Sequence, residues 1–201
     1  MKLRILSILS VIAMVFCLVS AANAGTAELL ASLTKQIDNS EHATPELKKF
    51  AKDKLLPLCT NAIFVKAVTE QNAKGITLDE IKVLDDKWQH AEDFLPIHEE
   101  MLGNACAKEI QSIAKANTII TEMFVMDNQG ANVGQNEITS DYWQGDEAKW
   151  INSFNDGKGG VDISEPKLDK STSKIDQKVS LPIIDASGKV IGAVCVGVTL
   201  D

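Results

Sequence analysis

Between Gly25 and about Asn117, apolar residues recur every three or four positions with few β-branched runs, the period of amphipathic helices. Leu29, Leu30, Leu33 and Ile37 mark a first stretch over Thr26 to Asp38. Thr44 and Pro45 open a second helix, with the threonine as N-cap and the proline in the first helical position. Pro57 breaks or kinks that helix near Leu56. A further run, Leu58 to Asn72, ends around Lys74-Gly75. Thr77-Leu78-Asp79-Glu80 has the spacing of a capping box, and Ile81, Leu84 and Trp88 form the apolar face behind it. One longer helical segment is expected from about Ile97 to Asn117.

After Asn117 the period changes. Ile119 to Met126 is rich in β-formers, and Asp127-Asn128-Gln129-Gly130 has the composition of a turn. A short helix is expected within Tyr142 to Phe154, capped by Asp146. Gly159 to Ile163, Ile175 to Ile184 and Lys189 to Leu200 read as strands, the last two joined by the hairpin turn Asp185-Ala186-Ser187-Gly188. The Lys167–Lys174 stretch reads as a polar loop. These elements predict an α+β domain, with helices over 25–117 followed by a mostly antiparallel sheet over 118–201.

The N-terminus has a different character. Lys2 and Arg4 precede an apolar run from Ile5 to Val19, and Ala22-Asn23-Ala24 follows. This is the pattern of a secretory signal peptide over 1–24, cleaved after Ala24, and it predicts a periplasmic protein starting near Gly25. The apolar run is shorter than the roughly 20 residues a membrane-spanning helix needs.

Cleavage would leave 18 lysines against 28 acidic residues, a formal charge of −10. Phosphate recognition wants a basic face, so nucleic acid is a poor partner. Arg4 is the sole arginine of the chain, so bidentate guanidinium gripping of a carboxylate or phosphate is unavailable after cleavage. The three cysteines beyond the leader are Cys59, Cys106 and Cys195. In an oxidising compartment they suggest either a Cys59–Cys106 bridge with Cys195 buried, or reduced, buried thiols throughout.

The last strand has two unlike faces. Gly192, Val194, Val196, Val198 and Leu200 alternate with Ile191, Ala193, Cys195, Gly197 and Thr199, and the second set is small from Ala193 onward. Small residues on one face let something approach closely, either a packed helix or a ligand.

Several pieces of the chain together resemble a family. They are FVMDNQG over 124–130, the Tyr142-Trp143 and Trp150 segment, the glycines 157, 159 and 160, the strand from Val179 to Asp185, and Gly188 to Val194. In this order they resemble bacterial extracytoplasmic sensor domains of the Cache type, also called PDC domains. Ala67 to Asn72 and Leu84 to Trp88 are similar to the helical lead-in of free-standing single-Cache proteins. The resemblance covers roughly Phe64 to Asp201.

It implies a PAS-like antiparallel sheet that binds a small molecule between the sheet and its overlying loops. The matching positions are Tyr142, Trp143 and Trp150 above the pocket, the strand residues around Asp176 to Ser180 with Lys178 among them, and Cys195 and Gly197 on the small-residue face. The three aromatics either line that pocket or pack beneath the short helix. Amino-acid-binding members use an arginine beside the aromatic segment and an aspartate in the last strand. Here there is no arginine to align, and Gly197 stands where that aspartate would. Family members usually continue into a membrane helix and a signalling module. A chain ending at Asp201 is expected to signal through a membrane receptor or kinase ectodomain, to deliver its ligand there, or to serve as a pocketless interaction subunit.

Catalytic patterns are absent from the sequence. His98-Glu99-Glu100-Met101-Leu102 lacks the second histidine of a zinc-protease helix, Ser187 lies in a hairpin turn, and no glycine-rich phosphate loop opens a helix. Asp127-Asn128-Gln129-Gly130 loses the alternating oxygen ligands of a calcium loop at Ala131. Neither an enzymatic activity nor a cofactor or metal is expected.

Overall fold

The structure, a computed structural model, describes residues 24–169 and 174–200. The signal-peptide reading therefore lies almost entirely outside the described residues. Helix α1 covers residues 24–39, and α2 (Pro45–Phe50) starts at Thr44, whose hydroxyl accepts from Leu47 N. The chain then winds through a π turn (Ala51–Leu55) and a 3-10 turn (Leu56–Thr60), so Pro57 sits at the start of a tighter coil rather than at a break. The remaining helices are α3 (Ala62–Ala73), α4 (Leu78–Gln89), α5 (Pro96–Gly103), α6 (Ala105–Ala116) and, between strands, α7 (Ala148–Phe154).

Six strands form one sheet: β1 (Ile120–Met126), β2 (Asn132–Gln135), β3 (Asp162–Ile163), β4 (Lys167–Asp169), β5 (Lys174–Ile184) and β6 (Val190–Leu200). Their order is β2-β1-β6-β5-β3, with β4 also on β5, and every pairing is antiparallel. The expected α+β class, helices first and an antiparallel sheet after, is what the chain adopts. The β5–β6 turn is closed by Asp185, whose Oδ1 accepts from Ser187 N at 2.8 Å and Lys189 N at 3.0 Å, with Gly188 at φ 85°. Strand β1 carries a bulge: Ile120 pairs with Val198 and Glu122 with Gly197, leaving Thr121 as the extra residue.

The two faces of the sheet have different tasks. Met123 and Val125, Val179, Leu181 and Ile183, and Val194, Val196 and Val198 face the helices. They meet Leu33, Ile37, Leu47, Phe64, Val68 and Ile110 in the main core. Each such side chain contributes about 1.5–3 kcal/mol on full burial. Two glycines permit the close approach. A Cβ on Gly192 would lie 2.9 Å from Val68 of α3, and one on Gly134 would lie 2.8 Å from Cys106 Cβ of α6. The opposite, outer face carries Phe124, Met126, Ala193 and Cys195, with Trp150 of α7 packed against them.

Several sequence readings are corrected. The helix expected over Ile97–Asn117 is two helices, because Asn104 leaves the helical region and its side chain caps α6 by accepting from Ala107 N at 2.9 Å. Asn61 caps α3 in the same way, so that helix starts at Ala62 rather than Leu58. The residue before α7 is Glu147, not Asp146, and it makes no side-chain cap. Lys167–Asp169 is strand β4, held by pairing with β5. Strand β2 has no alternating pattern and was not anticipated.

The Cys59–Cys106 bridge is also corrected: all three thiols are free and buried. Asn61 Nδ2 donates to Glu109 Oε1 at 3.0 Å, which sets the Cys59 turn beside a residue one turn beyond Cys106. Cys106 meanwhile lies against Gly134 of β2. Burial pushes the Cys59 and Cys106 thiols up to about 12.

Candidate functional site

Cross-strand pairing builds the outer face in rows. Glu122, Gly197 and Lys178 occupy one row across β1, β6 and β5, and Phe124, Cys195 and Ser180 occupy the next. In the first row Lys178 Nζ reaches Glu122 Oε2 at 2.9 Å, passing over the central glycine. Burial alone would push Lys178 down. The Glu122 carboxylate, helped by Cys195 and Glu147, outweighs that and holds the lysine above its ordinary value.

Helix α7 covers these rows. Lys149 at its start is only 13 % exposed along its side chain, and its Nζ bonds Glu147 Oε2 and Gln144 Oε1, each at 2.8 Å. The same ammonium stands 5.4 Å from the centroid of the Phe124 ring, a cation–π arrangement. Trp150 donates from Nε1 to the Asp127 carbonyl at 3.1 Å and stacks on Phe154 with centroids 4.9 Å apart. Beneath them Cys195 is fully buried, and burial pushes its thiol up to about 11 despite Ser180, Lys178 and Lys149 favouring the thiolate. The Ser180 hydroxyl is buried with no nitrogen or oxygen partner, next to that sulfur.

Of the residues expected at the site, the structure brings Trp150, Lys178, Cys195 and Gly197 to this face. Asp176 belongs to the same face of β5 but lies further along it, opposite Thr199 and Lys167. Tyr142 and Trp143 point elsewhere. Tyr142 is buried beside Trp88, with ring centroids 5.7 Å apart, in a second cluster with Ile81 and Met101. Trp143 donates to the Gln129 carbonyl at 2.7 Å and carries Lys82 over its ring at 4.9 Å. Their backbone amides are fixed from α4: Asp85 Oδ1 accepts from Tyr142 N at 2.8 Å and Trp143 N at 3.0 Å. Ser180, the end of the Asp176–Ser180 strand segment expected at the pocket, shares a face with Lys178 by the period of two. Glu122, Phe124 and Lys149 were missed as site residues. For Glu122 the signal was hidden by the bulge.

Chemically, two ammonium groups, two carboxylates, a thiol and a hydroxyl lie on one partly enclosed face. Each lysine already has a glutamate partner, so the face is close to neutral. No group of three or more histidine, cysteine or acidic side chains able to hold a metal occurs among the described residues. No helix among them is long and apolar enough to cross a membrane.

No family model matches the chain, and no curated protein does. Similar solved structures are sensor and ligand-binding domains of histidine kinases and chemoreceptors. The sensor domain of the V. cholerae histidine kinase DctB is 13 % identical at a TM-score of 0.45, with 86 % of this chain and 56 % of that one covered. The ligand-binding domain of the Pseudomonas aeruginosa PAO1 amino acid chemoreceptor PctC, in complex with GABA, is 11 % identical at 0.35, with 73 % and 61 % covered. That of the Campylobacter jejuni chemoreceptor Tlp3, in complex with 4-methylisoleucine, is 12 % identical at 0.38, with 90 % and 59 % covered. The chain spans less than two thirds of the length of each of these structures.

Proposed function

We propose that this chain is a non-enzymatic sensor module that binds a small molecule on the outer face of its sheet, beneath α7. The observation that carries the reading is the convergence of Lys178, Glu122, Lys149 and the buried Ser180 hydroxyl, which has no nitrogen or oxygen partner, over the small residues Cys195 and Gly197. A buried hydroxyl with only a weakly hydrogen-bonding thiol beside it gains when a ligand nitrogen or oxygen supplies a stronger bond. The internally matched charges favour a neutral or dipolar ligand over a bare anion.

The module would act outside the cytoplasm, starting near Gly25 after cleavage of a leader over 1–24, and would pass its state or its ligand to a membrane receptor or kinase ectodomain. Intact-mass measurement of the exported protein checks the start. A thermal-shift screen of metabolites checks the binding: a ligand at about 100 times its Kd contributes about 2.7 kcal/mol. The response should vanish in Ser180→Ala or Lys178→Met. A screen without a stabilising compound would count against the reading.

One observation favours a second reading, that of an interaction subunit without a pocket. Trp150 already packs against Cys195, Ala193, Phe124 and Met126, filling part of the face a ligand would use. Trp150→Ala separates the two: improved ligand binding supports a pocket, and loss of stability without binding supports the pocketless form.

A further inference from the structure

A different part of the molecule presents an unpartnered surface. Helix α4 is amphipathic, and its inner face (Ile81, Asp85, Trp88) is buried. Its outer side is not wholly polar. Val83 is 56 % exposed, and Ile76, Asp79, Glu80, Val83 and Leu84 line an open groove of about 450 Å³. The surrounding charge is acidic: from Leu78 to Phe94, leaving aside the inward Asp85, there are five acidic side chains against two lysines. Glu80 is engaged in the capping box with Thr77 and Asp86 faces His90, but Asp79, Glu92 and Asp93 have no cationic partner among the described residues.

We propose that the outward face of α4 docks a cationic amphipathic helix of a partner protein, with an apolar side chain seated at Val83 and Leu84 and a basic one against Asp79. Charge selects this occupant. A second copy of this chain would bring an acidic face onto an acidic face, and an anionic lipid surface would be repelled in the same way. Helix-in-groove recognition needs apolar anchors one helical turn apart, which match an open apolar strip flanked by charge. The inference is independent of the ligand reading, although the inner side of the same helix holds the Tyr142–Trp143 amides through Asp85.

The test uses the chain from Gly25 and, as probe, a synthetic fourteen-residue helix of leucine and lysine, followed by amide chemical-shift perturbation. Shifts should cluster on Ile76–Lys87, and Asp79→Lys should weaken binding at least tenfold. Val83→Asp is the decisive variant. It adds negative charge, so purely electrostatic attraction would strengthen, whereas a seated apolar anchor would be lost and affinity should fall at least tenfold. Stronger or unchanged binding by Val83→Asp, shifts spread over every acidic surface, or concentration-dependent self-association through α4 would each overturn the proposal. Because Val83 is largely exposed, the variant should keep the melting temperature of the parent, which a thermal scan verifies.

Discussion

Lys178 of β5 and Glu122 of β1 belong to strands that are not paired with each other, yet they meet at 2.9 Å across Gly197 of the strand between them. Glycine leaves the lysine stem room to cross. A Cβ at this position would stand 3.1 Å from Thr121 Oγ1 and 3.2 Å from Glu122 Cβ.

Gly197→Val is therefore expected to destabilise the fold by about 1–3 kcal/mol through overpacking. Urea unfolding measures this, and unchanged stability would show that the lysine can take another course.

The lysine itself sets an alkaline limit. Its folded pKa lies above its ordinary value, so the pair's contribution is fully present below the unfolded lysine value of about 10.4 and is lost as pH rises through the folded one. With the two side chains 32 % and 28 % exposed, solvent screening keeps the contribution to about 1 kcal/mol. Wild type and Glu122→Gln should differ by that amount at pH 8, and the difference should close as pH rises past the lysine value. A pH-independent difference would refute the assignment.

Asp127 has the opposite sense to a usual carboxylate. Its Oδ1 accepts from Gln129 N at 2.8 Å and Ala131 N at 3.0 Å, but burial outweighs those bonds and pushes its pKa up. A raised folded pKa favours the folded state below the unfolded value, about 3.9, and that advantage disappears as pH climbs through the folded value. Asp127→Asn keeps an accepting oxygen without the charge. It should be at least as stable as wild type at pH 7, with its relative advantage shrinking toward pH 4. Marked loss at pH 7 would contradict this.

Asp85 accepts two amides that have no other partner shown, so Asp85→Ala leaves both Tyr142 N and Trp143 N unsatisfied. The expected cost is about 2–4 kcal/mol, while Asp85→Asn, which retains an acceptor, should cost less than half as much. Chemical denaturation of the two variants side by side decides it.

Three free thiols pushed up to about 11 to 12 should be inert in the folded protein. A thiol reagent at pH 8 should label none of Cys59, Cys106 and Cys195 before denaturation and all three after it. A melting temperature lowered by reductant would instead reveal a bridge.

The parts of this fold legible in the sequence are those written in local chemistry. Thr44-Pro45 and the Thr77–Glu80 box start helices where they were expected, and Asp185 to Gly188 makes the turn between two strands. Hidden were features set by partners distant in the chain. The Asn104 break depends on Asn104 Nδ2 also reaching the Val133 carbonyl at 2.8 Å, 29 residues away. Strand β2 is held by β1 on one side and, at Asn132 N, by the Tyr142 carbonyl on the other, not by its own composition. The aromatic triplet was misjudged in direction because Trp150 rides on a helix of its own while Tyr142 and Trp143 are anchored to α4. Half of the candidate site was readable from alternation along β5 and β6; Glu122 was not, because alternation fails at the bulge.

That bulge also makes the sheet tolerant of a change in chain length at one place. In a regular strand Ile120 and Glu122 would share a side, and either an acid would enter the core or an isoleucine would leave it. Thr121 absorbs the mismatch. Deleting it would straighten β1 while Ile120 still opposed Val198 and Glu122 still opposed Gly197, so the strand could lose a residue here and keep its ion pair with Lys178.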